Sequence, residues 1–282
     1  MLFRKLALLI LAASLDVMLL AQTPPQTPAA SAGAEDTPVA SPSPIFEVTI
    51  VKPSKSGESG SHSSFQGGRF IASNVLLKNV MQYQAYGIPE MRIVGGPKWL
   101  GSERFDIEAK TDDAVARQLQ TADRDQRTRL MQGMFQQLLA ERFKLAVHWE
   151  TRELPVYALV VAAGKGVLQP AKHPENGAST SSSRGEYSAE SITMEELARS
   201  LTQEFSGELG RVILDRTGIE GRYDVALKWT PDSGQAPADN GAAEAGPSLF
   251  TAIQEQMGLK LESSKGPVQV LVIDHVEMPT AN

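Results

Sequence analysis

The sequence predicts an α+β fold built from an internally duplicated unit, with mixed or antiparallel sheets and helices packed on one face. Three observations lead there. The heptapeptide "RFDIEAK" (104–110) returns as "RYDVALK" (222–228). "GRFIASNVLLKNVM" (68–81) lines up with "GEYSAESITMEELA" (185–198) through Gly68/Gly185, Phe70/Tyr187, Ala72/Ala189, Val75/Ile192, Leu77/Met194 and Val80/Leu197. "MFQQLLAERFKL" (134–145) and "LPVYALVVA" (154–162) then match "LFTAIQEQMGLKL" (249–261) and "GPVQVLVID" (266–274), with Gly258 inserted. Several apolar positions repeated in unchanged order mark a repeated supersecondary unit, and this mixture of strands and helices belongs to the α+β class.

Taken in order, the chain opens with "MLFRKLALLILAASLDVMLLAQTPPQ". Arg4 and Lys5 precede an apolar run and then Ala21, the layout of a secretory signal peptide cleaved after Ala21 (residues 1–21). Asp16 interrupts the run and Leu19 is large for its place near the cleavage point, so the other reading is an uncleaved anchor. Residues 22–44 are Pro, Ala, Ser and Thr and predict a disordered tether. The first α+β repeat is expected over 45–170, a linker over 171–184, and the second repeat over 185–279 with a loop at 230–247. Residues 54–68 and 164–185, rich in Gly and Ser, read as loops.

Within each repeat the pattern predicts β-α-β and then α-β-β. The first strand ends at a polar residue, Asn74 or Ser191, expected to cap an amphipathic helix. In the second copy Ser191 with Glu195 approaches a capping arrangement, while Thr193 with Glu196 has the capping-box spacing itself. "RFDIEAK" and "RYDVALK" alternate as half-buried strands. Phe105, Ile107 and Ala109 share one face with Arg104, Asp106 and Glu108 opposite; Tyr223, Val225, Leu227 and Trp229 share the other copy's face, with Arg222 and Asp224 opposite. Each repeat is expected to close with a helix and a hairpin, turning at "ETRE" (150–153) and "SSKG" (263–266), with Pro155 and Pro267 at strand starts.

Composition narrows function. The 282 residues are 41% hydrophobic with net charge −6, enough for one large or two medium domains. A pI near 5.4 and interspersed charges supply no basic stripe, so no nucleic-acid partner is expected. With no Cys, disulfides, thiolate nucleophiles and Cys-based metal sites are excluded. Beyond the N-terminus no segment has the composition to span a membrane.

"FEVTIVKPS", "GGRFIASNVLLKNV", "YGIPEMRIVGGPKWLGSERFDIEAK", "LLAERFKLAVHWETRELPVYALVV", "DRTGIEGRYDVALKWTPD" and "LFTAIQEQMGLKLESSKGPVQVLVIDHVEMP" together resemble a soil-associated bacterial protein family of unknown function, from Phe46 to Pro279. The resemblance implies an exported protein, periplasmic or extracellular, with similar domains fused to zinc-metallopeptidase sensors of the β-lactam-receptor type. It carries no catalytic residues. Locally, "SITMEELARSLTQEFSGELGRVILDRTGIEGRYDVAL" resembles the short N-terminal βαβ domains of secretins and TonB-dependent transporters, which implies an interaction module at the level of fold.

Motifs of known chemistry are missing: no G-x-S-x-G, S-x-x-K, H-E-x-x-H, Walker loop or dinucleotide fingerprint, so no catalytic residue, cofactor or metal site is assigned. His148/Glu150 and His275/Glu277 share strand faces but lack a third ligand. The candidate ligand-binding residues are Tyr86, Trp99, Arg104, Asp106, Arg222 and Asp224, although the recurrence of the Arg and Asp in both copies favours a role in the fold for those four. Tyr86 and Trp99 belong to the loop "YGIPEMRIVGGPKWL" (86–100), which lines a cleft or else packs Trp99 into the core. Two functions follow from these residues: a non-catalytic binding or interaction module of the bacterial envelope, taking an envelope protein or small ligand, or an envelope hydrolase with an unrecognised site.

Overall fold

The computed structural model describes residues 44–55, 60–163, 168–231 and 246–279. The expected signal peptide and all but the last residue of the tether lie outside them. The elements in chain order are β1 (Val48–Pro53), β2 (His62–Gln66), β3 (Arg69–Leu76), α1 (Leu77–Asn79, continuing as a π-helical segment Val80–Tyr86), β4 (Ile93–Gly95), β5 (Arg104–Lys110), α2 (Asp113–Thr121), α3 (Arg124–Phe143), β6 (Ala146–Val161), β7 (Gln169–Pro170), β8 (Ser179–Ser183), β9 (Glu186–Ile192), α4 (Met194–Glu204), α5 (Ser206–Leu209), β10 (Ile213–Asp215), β11 (Tyr223–Lys228), α6 (Leu249–Met257) and β12 (Leu259–His275).

They build an α+β fold of three four-stranded sheets. The first has the order β1-β5-β3-β2 and the third β7-β11-β9-β8. Both are antiparallel throughout. Their strands correspond one to one: the "RFDIEAK" strand β5 and the "RYDVALK" strand β11 hold the same place, each beside the strand that follows Gly68 or Gly185. The sheet between them, β10-β6-β12-β4, is mixed, because β6 and β12 run antiparallel while β10 and β4 add in parallel.

The two expected hairpins do not form. β6 and β12 are single strands of 16 and 17 residues that pair with each other along their length, from Leu259↔Val161 to His275↔Ala146. "ETRE" contains no turn former and stays extended opposite Val270 to Pro267. Gly266 of "SSKG" makes no turn and is buried in the strand, where a Cβ would press on the end of the Leu214 side chain. Pro155 and Pro267 are accordingly mid-strand. They sit ahead of the residues that pair with β10 and β4, where the outer side of each long strand has no paired neighbour.

Two segments expected as loops also supply strands. β2 ("HSSFQ") and β8 ("STSSS") are outer strands of their sheets. Neither shows an apolar period of two: β8 is exposed throughout and β2 sends only Phe65 against the first core, so each is held by the hydrogen-bonding rim of its neighbour.

All described residues belong to one compact unit, Pro42–Asn282. Its first core packs Phe70, Phe105, Phe135 and Phe143 with Leu271 and Ile273 of β12. The second packs Tyr187, Leu197, Leu201, Leu227 and Ile253 with Leu159 of β6 and Leu259 of β12. Each long strand therefore starts beside one core and finishes in the other. Val156, Val268 and Val270 form a smaller cluster between them. Among the described residues no helix is long and apolar enough to cross a membrane.

Candidate functional site

The repeated Arg-x-Asp strands act on one residue each. In β3 the buried positions Phe70 and Ala72 alternate normally, then the phase slips at Asn74, and Val75 and Leu77 continue one place later. The pairing shows why: Ala72 faces Ile107, but Val75 already faces Phe105, so β3 carries an extra residue. In the second copy Ala189 faces Val225 and Ile192 faces Tyr223, with the same slip at Ser191. Both are β-bulges. The bulged residues are left-handed, with φ 58° at Asn74 and 51° at Ser191. That region disfavours L side chains, and a buried backbone there must still find hydrogen bonds.

The Arg and the Asp supply them. Asp106 Oδ1 accepts the Asn74 N–H at 2.9 Å and Arg104 Nη1 donates to the Asn74 carbonyl at 2.8 Å. Asp224 Oδ1 accepts the Ser191 N–H at 2.9 Å and Arg222 Nη1 donates to the Ser191 carbonyl at 2.5 Å. Each bulged side chain also ties down a loop, Asn74 Nδ2 to the Gly60 carbonyl at 2.5 Å and Ser191 Oγ to the Asn176 carbonyl at 2.8 Å. Asn74 and Ser191 are thus not the helix caps expected. The cap of α4 is Thr193, closed with Glu196 in a reciprocal capping box, and α1 has no side-chain cap.

The two clasps differ in what else they hold. Asp106 also accepts Ser54 Oγ at 2.9 Å, whereas Asp224 Oδ2 accepts the Lys172 N–H at 3.1 Å. The Ser191 and Lys172 N–H groups hold the Asp224 carboxyl below the usual range. Arg222 additionally reaches Glu196 at 3.3 Å. The Thr193 N–H, then the Thr193 hydroxyl, and then that guanidinium hold the Glu196 carboxyl low.

Around the second clasp, residues of the 168–179 segment line an open cavity of about 970 Å³ together with β9 and β11. Asp224, Glu190, Lys172 and His173 bring both signs of charge to its wall, with Ser188 and Met257 beside them. A carboxylate whose oxygens both accept backbone N–H groups is a poor proton acceptor, so Asp224 supplies fixed negative charge rather than a general base. His173 pairs with Glu175 at 3.3 Å. Among the described residues no cluster of three or more His, Asp or Glu could hold a metal; His148 pairs with Asp274 and His275 with Glu277, each at 2.8 Å.

Tyr86 and Trp99 lie elsewhere, half-buried against the first core. Tyr86 meets Trp149 edge-on at 6.4 Å, and burial pushes its phenol up. Trp99 meets Phe105 edge-on at 6.2 Å. The six candidates therefore do not form one site: two clasps, and Tyr86 and Trp99 each in its own aromatic contact. The residues that sequence reasoning missed are the clasped ones and their tethers, Lys172 and Asn176. Their signal is the slip of the apolar period at "ASNV" and "AESI", which reads equally well as a strand handing over to a helix.

These features define a class by architecture: an α+β protein with two bulge-clasped sheets joined through one long strand pair. The chain belongs to the family described as "Protein of unknown function (DUF3738)", which matches residues 78–276, from α1 to just past the end of β12. No curated protein and no solved structure matches it.

Proposed function

We propose that this is an exported, non-catalytic binding or protein-interaction module of the bacterial envelope, built by internal duplication of one α+β unit. One observation carries the non-catalytic part. The four charged residues that the repeat singles out, Arg104, Asp106, Arg222 and Asp224, are engaged in holding backbone groups. Residues engaged in this way serve the shape of a surface, and the surface they shape around Asp224 is a cavity of a size that small ligands or protruding side chains occupy. Export rests on the order of Arg4, Lys5, the apolar run and Ala21. The matching strand orders and matching bulges support the duplication.

The test places a photo-crosslinking amino acid at Glu190, on the cavity wall, and at Arg129, on the exposed face of α3, in cells that express the full chain. A discrete adduct in the envelope fraction from position 190, and none from 129, is the expected result. A cytoplasmic full-length protein would overturn the export, and turnover of an ester or amide substrate that is lost in Asp224→Asn with the fold intact would overturn the non-catalytic reading.

A further inference from the structure

A second cavity, of about 440 Å³, is walled by the turn after α1, by α4, by β10 and by the middle of β12. Its floor is apolar: Ile88, Ile213 and Val268 are buried there. Arg92 and Arg199 both stand on its wall. Arg199 pairs with Glu195 at 3.1 Å in an exposed contact. Arg92 is half-buried, and among the described residues no carboxylate pairs with it. Its Nε donates to the Gln269 carbonyl at 2.7 Å, and its guanidinium lies 5.7 Å from the Trp149 ring. The Asp215 carboxylate, also on the wall, accepts the Thr217 N–H at 2.8 Å.

The wall carries Glu195 and Asp215 beside the two arginines, but Glu195 is engaged by Arg199, so the half-buried Arg92 guanidinium has no acid of its own. Burial and the neighbouring Arg199 both work against its protonated form. An anion relieves that imbalance, and the apolar floor selects what the anion is attached to. We propose that this cavity binds a small amphipathic carboxylate, its headgroup on Arg92 and its apolar body over Ile88, Ile213 and Val268. Arg199 adds long-range attraction. Because the walls come from both halves of the chain, an occupant links α4 to the turn after α1. The site is separate from the cavity at Asp224, so either proposal fails without the other.

The experiment titrates the full chain with sodium decanoate below its micelle threshold, followed by calorimetry and by tryptophan emission, to which Trp149 beneath Arg92 contributes. One saturable site is expected, with decanol and decylammonium at least about tenfold weaker because they cannot form the charge-assisted bond. Arg92→Gln should weaken decanoate about tenfold with the circular dichroism unchanged, and Arg199→Gln should weaken it less. Decanol binding as tightly as decanoate, a folded Arg92→Gln variant binding decanoate normally, or no saturable binding at all would overturn the proposal. Should Arg92→Gln fail to fold, the wild-type chain carries the same test: decanoate affinity must fall from low to high salt, and a salt-independent affinity would refute the headgroup contact.

Discussion

At the scale of single residues, the repeated Arg-x-Asp motif separates two jobs that strand alternation alone merges. The inward residues pack and the outward ones clasp. Phe105 is 1% exposed and edge-on to Phe143 at 5.3 Å, so Phe105→Ala should cost about 3–5 kcal/mol in urea unfolding. Its counterpart Tyr223, on the matching apolar face, is only half-buried, and its hydroxyl donates to the Glu220 carbonyl at 3.0 Å. Tyr223→Ala should therefore cost clearly less than Phe105→Ala, and equal costs would contradict the burial. The clasp contributes through a different route. Asp106→Ala strands the N–H of a left-handed bulge residue and should cost about 1–3 kcal/mol, read by the same titration; a smaller cost in Asp106→Asn would show that the remaining carbonyl still accepts. The second clasp predicts a pH dependence. Hydrogen bonds from Ser191 and Lys172 depress the Asp224 carboxyl in the folded state. In acid the unfolded chain then takes up the proton first, at about pH 4, so the Asp224 contribution is complete above that pH and is lost as pH falls through the lower folded value. Stability measured at neutral and acid pH should differ less in Asp224→Asn than in the wild-type chain.

At the scale of elements, sequence pattern is most informative where a local partner settles the structure. The Thr193–Glu196 spacing predicts a capping box and the box is there, since both partners lie within one helical turn. Thr193→Ala should cost about 1 kcal/mol, seen as a lowered Tm without change in the far-ultraviolet spectrum. Pattern misleads where the partner is distant. "ETRE" and "SSKG" are polar and sit between apolar runs, which is how turns look. They are the exposed middles of two strands whose partners lie more than a hundred residues apart, as Lys265 opposite Pro155 shows. β2 and β8 are invisible for the related reason that a strand with one inward apolar residue, Phe65, or none has no alternation to display.

For the whole molecule, the long strand pair couples the two cores. Leu159 lies on β6 in the second core, while the same strand opens beside the first, where Val147 packs against it. Leu159→Ala should cost about 2–5 kcal/mol and should lower the unfolding of both outer sheets together. Hydrogen exchange of β5 and β11 amides checks this: a shift confined to β11 would mean that the halves unfold independently.

Much of this architecture was legible from the residues alone. Alternation in "RFDIEAK" and "RYDVALK" decides which side chains face inward, because a strand's side chains change face at every step. The repeated order of apolar positions announces that the two outer sheets correspond. What the tertiary structure alone decided is how the halves join and what the recurring charges of the two strands hold. Whether β6 folds back on itself or continues to meet β12 depends on contacts across the chain, and no local propensity encodes them. Nor does a carboxylate reveal from its neighbours in sequence that it will meet the N–H of a residue 32 or 33 positions away, as Asp106 and Asp224 do.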